Sequence, residues 1–155
     1  MKLYCVRHGQ ANSSDVDPQN SLTEQGRSDI EKVAEYLSSC NFHVDHVMHS
    51  KKLRAVQTAT ILAERIGSAN DLVESDHLLS PESNVSDLVE MIKSWGEDTM
   101  LVSHLPFIAK LVSALVVGDE NKIPIVNFTP GTMVCLDSHD SQSWVISWII
   151  SPDLL

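Results

Sequence analysis

Arg7-His8-Gly9 stands where the first apolar run of the chain, Met1–Val6, gives out. A neutral imidazole is a nitrogen nucleophile, a guanidinium holds phosphate oxygens in a planar fork, and glycine lets an anion approach the backbone. A triplet this short also occurs by chance. It becomes informative only if a second arginine and a second histidine follow other strands of the same sheet.

Later predicted strands supply both residues. The strand predicted at Val44–Met48 is followed by Arg54 within the next helical turn, and the strand at Thr99–Ser103 leads directly to His104. In open α/β sheets the ligand site lies beyond the carboxyl ends of the strands. We therefore expect these two side chains to converge with the first triplet at one edge of the sheet.

Strands and helices alternate along the chain. Strands are predicted at Met1–Val6, Val44–Met48, Leu72–Val73, Thr99–Ser103, Thr132–Leu136 and Trp144–Ile150. Helices are predicted after the N-cap Thr23, from the cap Ser50 to near Gly67, over Val85–Trp95 and over Phe107–Val117. This order predicts an α/β fold, a three-layer αβα sandwich with a mainly parallel sheet and an antiparallel last pair. We expect one domain over residues 1–155.

Composition narrows the class of protein. The 155 residues are 43% hydrophobic, enough for a single core, and no apolar run approaches the roughly 20 residues that cross a bilayer. The first residues lack the features of a signal peptide, so we expect a cytoplasmic monomer with no membrane contact. The net charge of −10 argues against nucleic-acid binding, although a few cations in a cleft still suffice to hold phosphate.

Three other patterns suggest alternative chemistry, and each has a simpler explanation. The cysteines have no paired spacing and no arginine six residues later, which favours reduced thiols over a disulfide, a metal site or a Cys-based phosphatase: Cys5, Cys40 and Cys135. Three histidines recur at every third position of a strand region, where neighbours face opposite ways, so we expect no metal site: His43, His46 and His49. The polar loop after His8 offers Asn12, Ser13 and Ser14 as donors to phosphate, which turn chemistry explains equally well, and Asp15-x-Asp17, which resembles the paired aspartates of another phosphatase class but does not end an apolar strand.

The predicted cluster suits phosphoryl transfer. His8 could attack phosphorus and become a phosphohistidine, while Arg7 and Arg54 bracket the non-bridging oxygens and His104 donates to them. Arginine and histidine then supply the positive charge, so we expect no metal and no cofactor. The tautomer of His8 depends on an acceptor that the sequence does not reveal.

Four blocks resemble the histidine phosphatase superfamily, the phosphoglycerate mutase-like group: Arg7-His8-Gly9, Leu22-Thr23-x-x-Gly26, Ser50-x-x-x-Arg54-Ala55-x-Gln57-Thr58-Ala59 and Ser103-His104-Leu105-Pro106. The resemblance implies that His8 is the phosphorylated nucleophile and that Arg7, Arg54 and His104 form the rest of the phosphate pocket. Gly9, which we expect to bind substrate with them, lets the phosphate approach the backbone because it has no side chain. It assigns Ser50 and the Gln57–Ala59 segment to packing and support.

Many relatives carry a helical insertion that roofs the pocket, and a glutamate that acts as general acid. The stretch from Arg54 to His104 has no room for such a lid, and the acid is left open among four residues: Glu74, Asp76, His77 and Glu82. His77 stands about where the family's glutamate is expected, although all four are typical of solvated loops. Phosphohistidine can leave as a neutral imidazole, so an enzyme acting on it could dispense with the acid.

These features resemble the small SixA-type phosphohistidine phosphatases. The resemblance implies a metal-independent phosphatase that acts on a phosphohistidine-bearing phosphotransfer or phosphocarrier protein. Two alternatives stay open: a small-molecule phosphomonoesterase of the same superfamily, and a non-catalytic module that binds phosphoproteins.

Overall fold

The computed structural model of the chain describes residues 1–68, 72–140 and 142–155. Its strands are β1 (Lys2–Arg7), β2 (His46–His49), β3 (Leu72–Glu74), β4 (Thr99–Ser103), β5 (Met133–Asp137) and β6 (Val145–Ile150). Its helices are α1 (Glu24–Ser39), α2 (Leu53–Ile66), α3 (Asp76–Leu79), α4 (Val85–Ile92) and α5 (Phe107–Val117). A 3₁₀ turn at Pro152–Leu154 follows β6.

The strands form one six-stranded sheet in the order β3-β2-β4-β1-β5-β6. The four strands from β3 to β1 are parallel, and β5 runs antiparallel to both of its neighbours. The predicted α/β fold with a mainly parallel sheet and an antiparallel last pair is therefore confirmed.

Two apolar layers hold the helices on the sheet. The side chains of β1 alternate between them, with Leu3 and Cys5 packed against α3, α4 and α5, and Tyr4 and Val6 packed against α1 and α2. Because both faces of this central strand are covered, its sequence reads as a continuous apolar run. All three cysteines are free thiols, and of these only Cys40 is exposed.

The ends of three helices test the capping residues and boundaries predicted from the sequence. Thr23 caps α1 as predicted, with its hydroxyl accepting from the backbone N–H of Gly26 at 2.9 Å. The prediction of Ser50 as the cap of α2 is wrong, because that helix begins after Lys52, which provides no side-chain cap. The helix predicted to reach Trp95 ends at Ile92.

In its described residues, the segment between α2 and β4 contains β3, α3 and α4 and no helical lid. Its short helices turn Leu79 and Leu88 into the core beside α5, so they cover the sheet. The four residues of α3 are too few to show a helical period in the sequence. Among the described residues, none of the helices is both long and apolar enough to cross a bilayer.

Gly26 fixes how α1 packs on the turn after β1. A methyl group at this position would lie 2.1 Å from the carbonyl oxygen of Gln10, which is a backbone atom and cannot rotate away. We expect Gly26→Ala to destabilise the fold by about 3 kcal/mol, because overpacking of this kind outweighs the ~1 kcal/mol gained in helix propensity. The melting temperature, followed by circular dichroism, should fall by about 6–12 °C.

Gly96 provides the matched control, because a methyl group there would meet no atom within 4 Å. Gly96→Ala should melt close to the wild-type temperature. If Gly26→Ala melted at the same temperature as Gly96→Ala, the close approach of Gly26 to the Gln10 carbonyl would be contradicted.

Candidate active site

Pairing within the sheet places three strand ends side by side. Strand β4 pairs with both β1 and β2, so Arg7 lies opposite Ser103 and His49 lies opposite Val102. The contact extends past the first strand, because the backbone N–H of His8 donates to the Ser103 carbonyl at 3.1 Å. The chain therefore leaves all three strands at the same edge of the sheet.

The imidazole of His8 is held in one tautomer. Its Nδ1 lies 2.8 Å from the carbonyl oxygen of Gly9, and its Nε2 lies 3.1 Å from the Nε of Arg54. A carbonyl only accepts and a guanidinium only donates, so the proton is on Nδ1 and the Nε2 lone pair is directed at Arg54. Burial, together with Arg54 and Arg7, lowers the pKa of His8 to about 4.

Two arginines approach His8 from different elements. Arg54 comes from the start of α2, and Arg7 ends β1, where its Nη1 donates to the carbonyl of Phe128 at 2.7 Å. The Nε of Arg7 is buried and has no hydrogen-bond partner among the described residues. Burial lowers the pKa of each guanidinium, yet both stay cationic at neutral pH.

His104 completes the group. Its ring centroid lies 4.9 Å from that of His8, with the two rings inclined at 54°. Its Nε2 is hydrogen-bonded to the hydroxyl of Ser50, and its buried Nδ1 has no partner in the described part of the chain. Burial, and then the neighbouring His8 and Arg54, lowers the pKa of His104 to about 3.

A polar hollow of about 320 Å³ opens beside three of these side chains, those of Arg7, His8 and Arg54. Its walls come from the turn after β1, the following loop, the first turn of α2 and the segment before β5: Arg7, His8, Gly9, Gln10, Ala11, Asn12, Asn20, Arg54 and Pro130. Two of these residues are cations and none is acidic. The hollow therefore favours an anion on a protein whose net charge is −10.

The structure thus brings His8, Arg7, Arg54 and His104 together. Gly9 also lines the hollow, but the contacts around it differ from those expected of an anion site. Its N–H donates to the hydroxyl of Thr58 at 3.0 Å. A side chain on Gly9 would collide with Ile30 of α1, so close packing of this helix also requires glycine.

Sequence reasoning missed several supporting groups. Asn20 lines the hollow, and it reaches there through the left-handed backbone of a loop with no periodic pattern. The Phe128 carbonyl that binds Arg7 is a backbone atom, which leaves no trace in residue type. The segment that contains Thr58 is predicted to support the site, but only the structure shows which atoms its hydroxyl joins.

Thr58 joins the turn that carries His8 to α2, because its hydroxyl accepts from the N–H of Gly9 and donates to the Arg54 carbonyl at 2.7 Å. Thr58→Val keeps the shape of the side chain but leaves the buried Gly9 N–H without an acceptor. We expect a loss of about 1–3 kcal/mol in the free energy of unfolding, measured by urea titration. Thr58→Ser, which retains the hydroxyl, should lose less. A Thr58→Val variant as stable as the wild type would contradict the role of the hydroxyl.

The four candidates for a general acid lie outside the lining of the hollow. Asp76 forms an ion pair with Lys51 at 2.9 Å, and this hydrogen bond holds the pKa of its carboxyl below the usual range. A hydrogen bond from Ser80 likewise lowers the pKa of Glu82. Glu74 and His77 are exposed. Lowered pKa values favour ionised carboxylates, and an ionised carboxylate has no proton to give.

The alternative motifs adopt structural roles. His43, His46 and His49 contact Asp45, Glu97 and the Ser50 carbonyl respectively. The carboxylate of Asp17 accepts from the backbone of Gln19 and Ser21 and so shapes its own loop.

Comparisons with known proteins agree with this geometry. The family model of the histidine phosphatase superfamily (branch 1) matches residues 3–79. The phosphohistidine phosphatase SixA of Escherichia coli (strain K12) is 27% identical over 161 residues, which span 98% of this chain and 94% of that protein. A structure of the protein histidine phosphatase SixA complexed with tungstate superposes with a TM-score of 0.80 at 24% identity, covering 99% of both chains. A mycobacterial glucosyl-3-phosphoglycerate phosphatase shares the fold too, with a TM-score of 0.71 at 20% identity over 94% of this chain and 96% of that one.

Proposed function

We propose that this chain, which belongs to the histidine phosphatase superfamily, is a metal-independent phosphatase that removes phosphoryl groups from phosphohistidine on a phosphotransfer or phosphocarrier protein. The observation that carries the proposal is the state of His8. Its Nδ1 proton is bound by Gly9, and its unprotonated Nε2 lies beside a guanidinium at the edge of an anion-sized hollow. An imidazole held in this way is a nucleophile poised for phosphorus.

The reaction takes two steps. First, Nε2 of His8 attacks phosphorus, a new N–P bond forms, and the P–N bond to the donor imidazole breaks with its electron pair going to the donor. Water then attacks the phosphorus on His8, and the N–P bond breaks with its electron pair returning to Nε2. Inorganic phosphate leaves with the protons of the water, and the neutral imidazole is regenerated. Arg7, Arg54 and His104 hold the three peripheral oxygens, on which charge accumulates in each transition state. Gly9 keeps the nucleophile in the correct tautomer.

The ionised state of Asp76 favours a substrate whose leaving group needs no proton. A phosphate ester releases an alkoxide, which needs a proton from a general acid. Asp76, held ionised by Lys51, is a poor donor for that purpose. Phosphohistidine whose second ring nitrogen is protonated leaves as neutral imidazole, and so it needs no acid. This difference favours a phosphoramidate substrate.

The open hollow also suits a substrate carried on a protein. The segment between α2 and β4, where a lid would arise, packs its short helices against the core. A phosphohistidine that projects from a protein surface could reach His8 without the opening of a lid. A small sugar phosphate would gain few contacts in such a site.

The test mixes the protein with a carrier phosphorylated on histidine, quenches within the first turnovers and maps the phosphorylated residue. We expect phosphate on His8, release of inorganic phosphate and no effect of a chelator. Rates are then compared with those for p-nitrophenyl phosphate and for sugar phosphates. Faster turnover of the esters would favour a phosphomonoesterase, and binding without turnover would favour a non-catalytic module. Either result would overturn the proposal.

A further inference from the structure

Ser50 has a bond that neither helix capping nor packing explains. Its side chain is fully buried, and among the described residues its hydroxyl has one hydrogen-bond partner, the Nε2 of His104. The opposite ring nitrogen, Nδ1, is buried without a partner. His104 is not among the residues that line the hollow, but its ring centroid lies 4.9 Å from that of His8, which is one of them. Nδ1 is the only other polar atom of the His104 ring.

The proton of a neutral imidazole occupies one of two places, and the contacts distinguish them. If Nε2 carried it, the ring would donate to Ser50, whose own buried hydroxyl proton would then have no acceptor, and Nδ1 would present a lone pair. If Ser50 donates to Nε2, the hydroxyl is satisfied and Nδ1 carries the proton. The second arrangement leaves a single buried group unpaired, and that group is a donor. Burial keeps the pKa of His104 low, so the ring carries one proton at neutral pH, and a ring protonated on both nitrogens is not a third arrangement.

The surroundings favour the same arrangement. Arg7 and Arg54 make the hollow a place for oxyanions, and a lone pair on Nδ1 would repel them. We infer that Ser50 is a positioning residue: its hydroxyl donates to Nε2 of His104 and so keeps the proton on Nδ1, where it is donated to the transferring phosphoryl group. This inference rests on the proposed function, since it assigns a role in that same site.

The chain offers a matched control one strand away. Ser103 is also fully buried and is the last residue of β4, as Ser50 is the first residue after β2, but the Ser103 hydroxyl donates to the carbonyl of Leu79 at 2.7 Å. Ser103→Ala therefore removes the same atom from the same layer of the fold without touching the ring of His104. Ser50→Thr keeps a hydroxyl at the tested position.

The decisive measurement is ¹H–¹⁵N NMR of the imidazole nitrogens at neutral pH without substrate, with His104 assigned through His104→Asn. We expect a protonated Nδ1 and an unprotonated Nε2 in the wild-type protein and in Ser103→Ala. Ser50→Ala should give a mixture of the two tautomers, and Ser50→Thr should restore the single one. Protonated Nε2 in the wild type, or an unchanged His104 in Ser50→Ala, would overturn the inference whether or not the protein is a phosphatase.

Two functional readouts connect the tautomer to the site. Ser50→Ala should bind inorganic phosphate about tenfold more weakly by calorimetry and lose about 10- to 100-fold in kcat/KM, less than the ~10²–10³-fold cost of deleting an oxyanion donor outright. Ser103→Ala should change neither quantity by more than about twofold. Wild-type phosphate affinity in Ser50→Ala would show that Nδ1 does not serve the anion.

Discussion

Replacing His8 with alanine is expected to abolish turnover, with a loss of at least about 10⁴-fold in kcat/KM, as for covalent enzymes that lose their nucleophile. Without the imidazole no phosphorylated enzyme can form. The arginines would still bind phosphate, but water alone would have to attack an anion that they partly neutralise. Quenching the reaction with a phosphohistidine carrier within the first turnovers measures both the rate and the amount of phosphorylated enzyme.

His77→Ala is the control for this experiment. His77 is exposed on α3 and lies outside the hollow, so removing it changes the histidine content without changing the site. It should retain wild-type turnover and the phosphorylated intermediate. If His8→Ala still formed a phosphorylated enzyme, another residue would be the nucleophile, and the assigned role of His8 would fail.

The pH dependence follows from the direction in which the pKa of His8 is shifted. Burial lowers it from 6.5 to about 4, so the proposed nucleophile, Nε2 of His8, stays unprotonated as the pH falls below 6. The acid limb of kcat/KM should therefore fall near pH 4, after correction for the spontaneous hydrolysis of phosphohistidine. A limb near 6.5 would indicate a solvated imidazole at position 8.

Protonation also couples the site to stability. The pKa values of His8 and His104 are both lower in the folded protein than in the unfolded chain, so the unfolded chain binds more protons below pH 6.5. This contribution to stability is fully present above pH 6.5 and is lost as the pH falls toward 4 and then 3. The His104→Asn variant should lack the part of this acid sensitivity that His104 contributes.

The fold could be predicted because its signals are local and repeated. Buried parallel strands such as β4 give continuous apolar runs, and α5 gives an apolar segment that ends at a glycine, Gly118, with left-handed backbone. The element that escaped, α3, is a single turn whose form depends on its neighbours. It needs tertiary contacts to exist, and no window of sequence contains them.

The same distinction between local signals and tertiary contacts applies to the candidate site. The strand ends that carry His8 and His104 could be located, because side chains at the carboxyl edge of a parallel sheet share one region of space. The partner of each ring nitrogen could not, because it depends on angles and on atoms far along the chain. Ser50 illustrates the difference: as a residue type before a helix it predicts a cap, and only the register of β2 against β4 places its hydroxyl on His104.

Arg54→Ala is expected to lower kcat/KM by about 10³-fold, the range seen when an arginine that stabilises phosphoryl transfer is removed. The Nε of Arg54 lies 3.1 Å from the Nε2 of His8, the nitrogen proposed to attack phosphorus, so the guanidinium can stabilise the charge that develops on the peripheral oxygens. The loss should fall mainly on kcat, because this charge is greatest in the transition state. Arg54→Lys keeps the charge but not the planar fork, and it should recover only part of the rate.

Arg65 gives the control from the same helix. It is exposed in the last turn of α2, so Arg65→Ala removes one positive charge from the protein at a distance from the hollow. It should leave kcat/KM unchanged, which separates local stabilisation from net charge. Arg54 also helps to lower the pKa of His8, so its removal should shift the acid limb of the pH profile upward. A tenfold loss or less, with an unshifted limb, would mean that Arg54 supports the fold of the turn and does not hold the phosphoryl group.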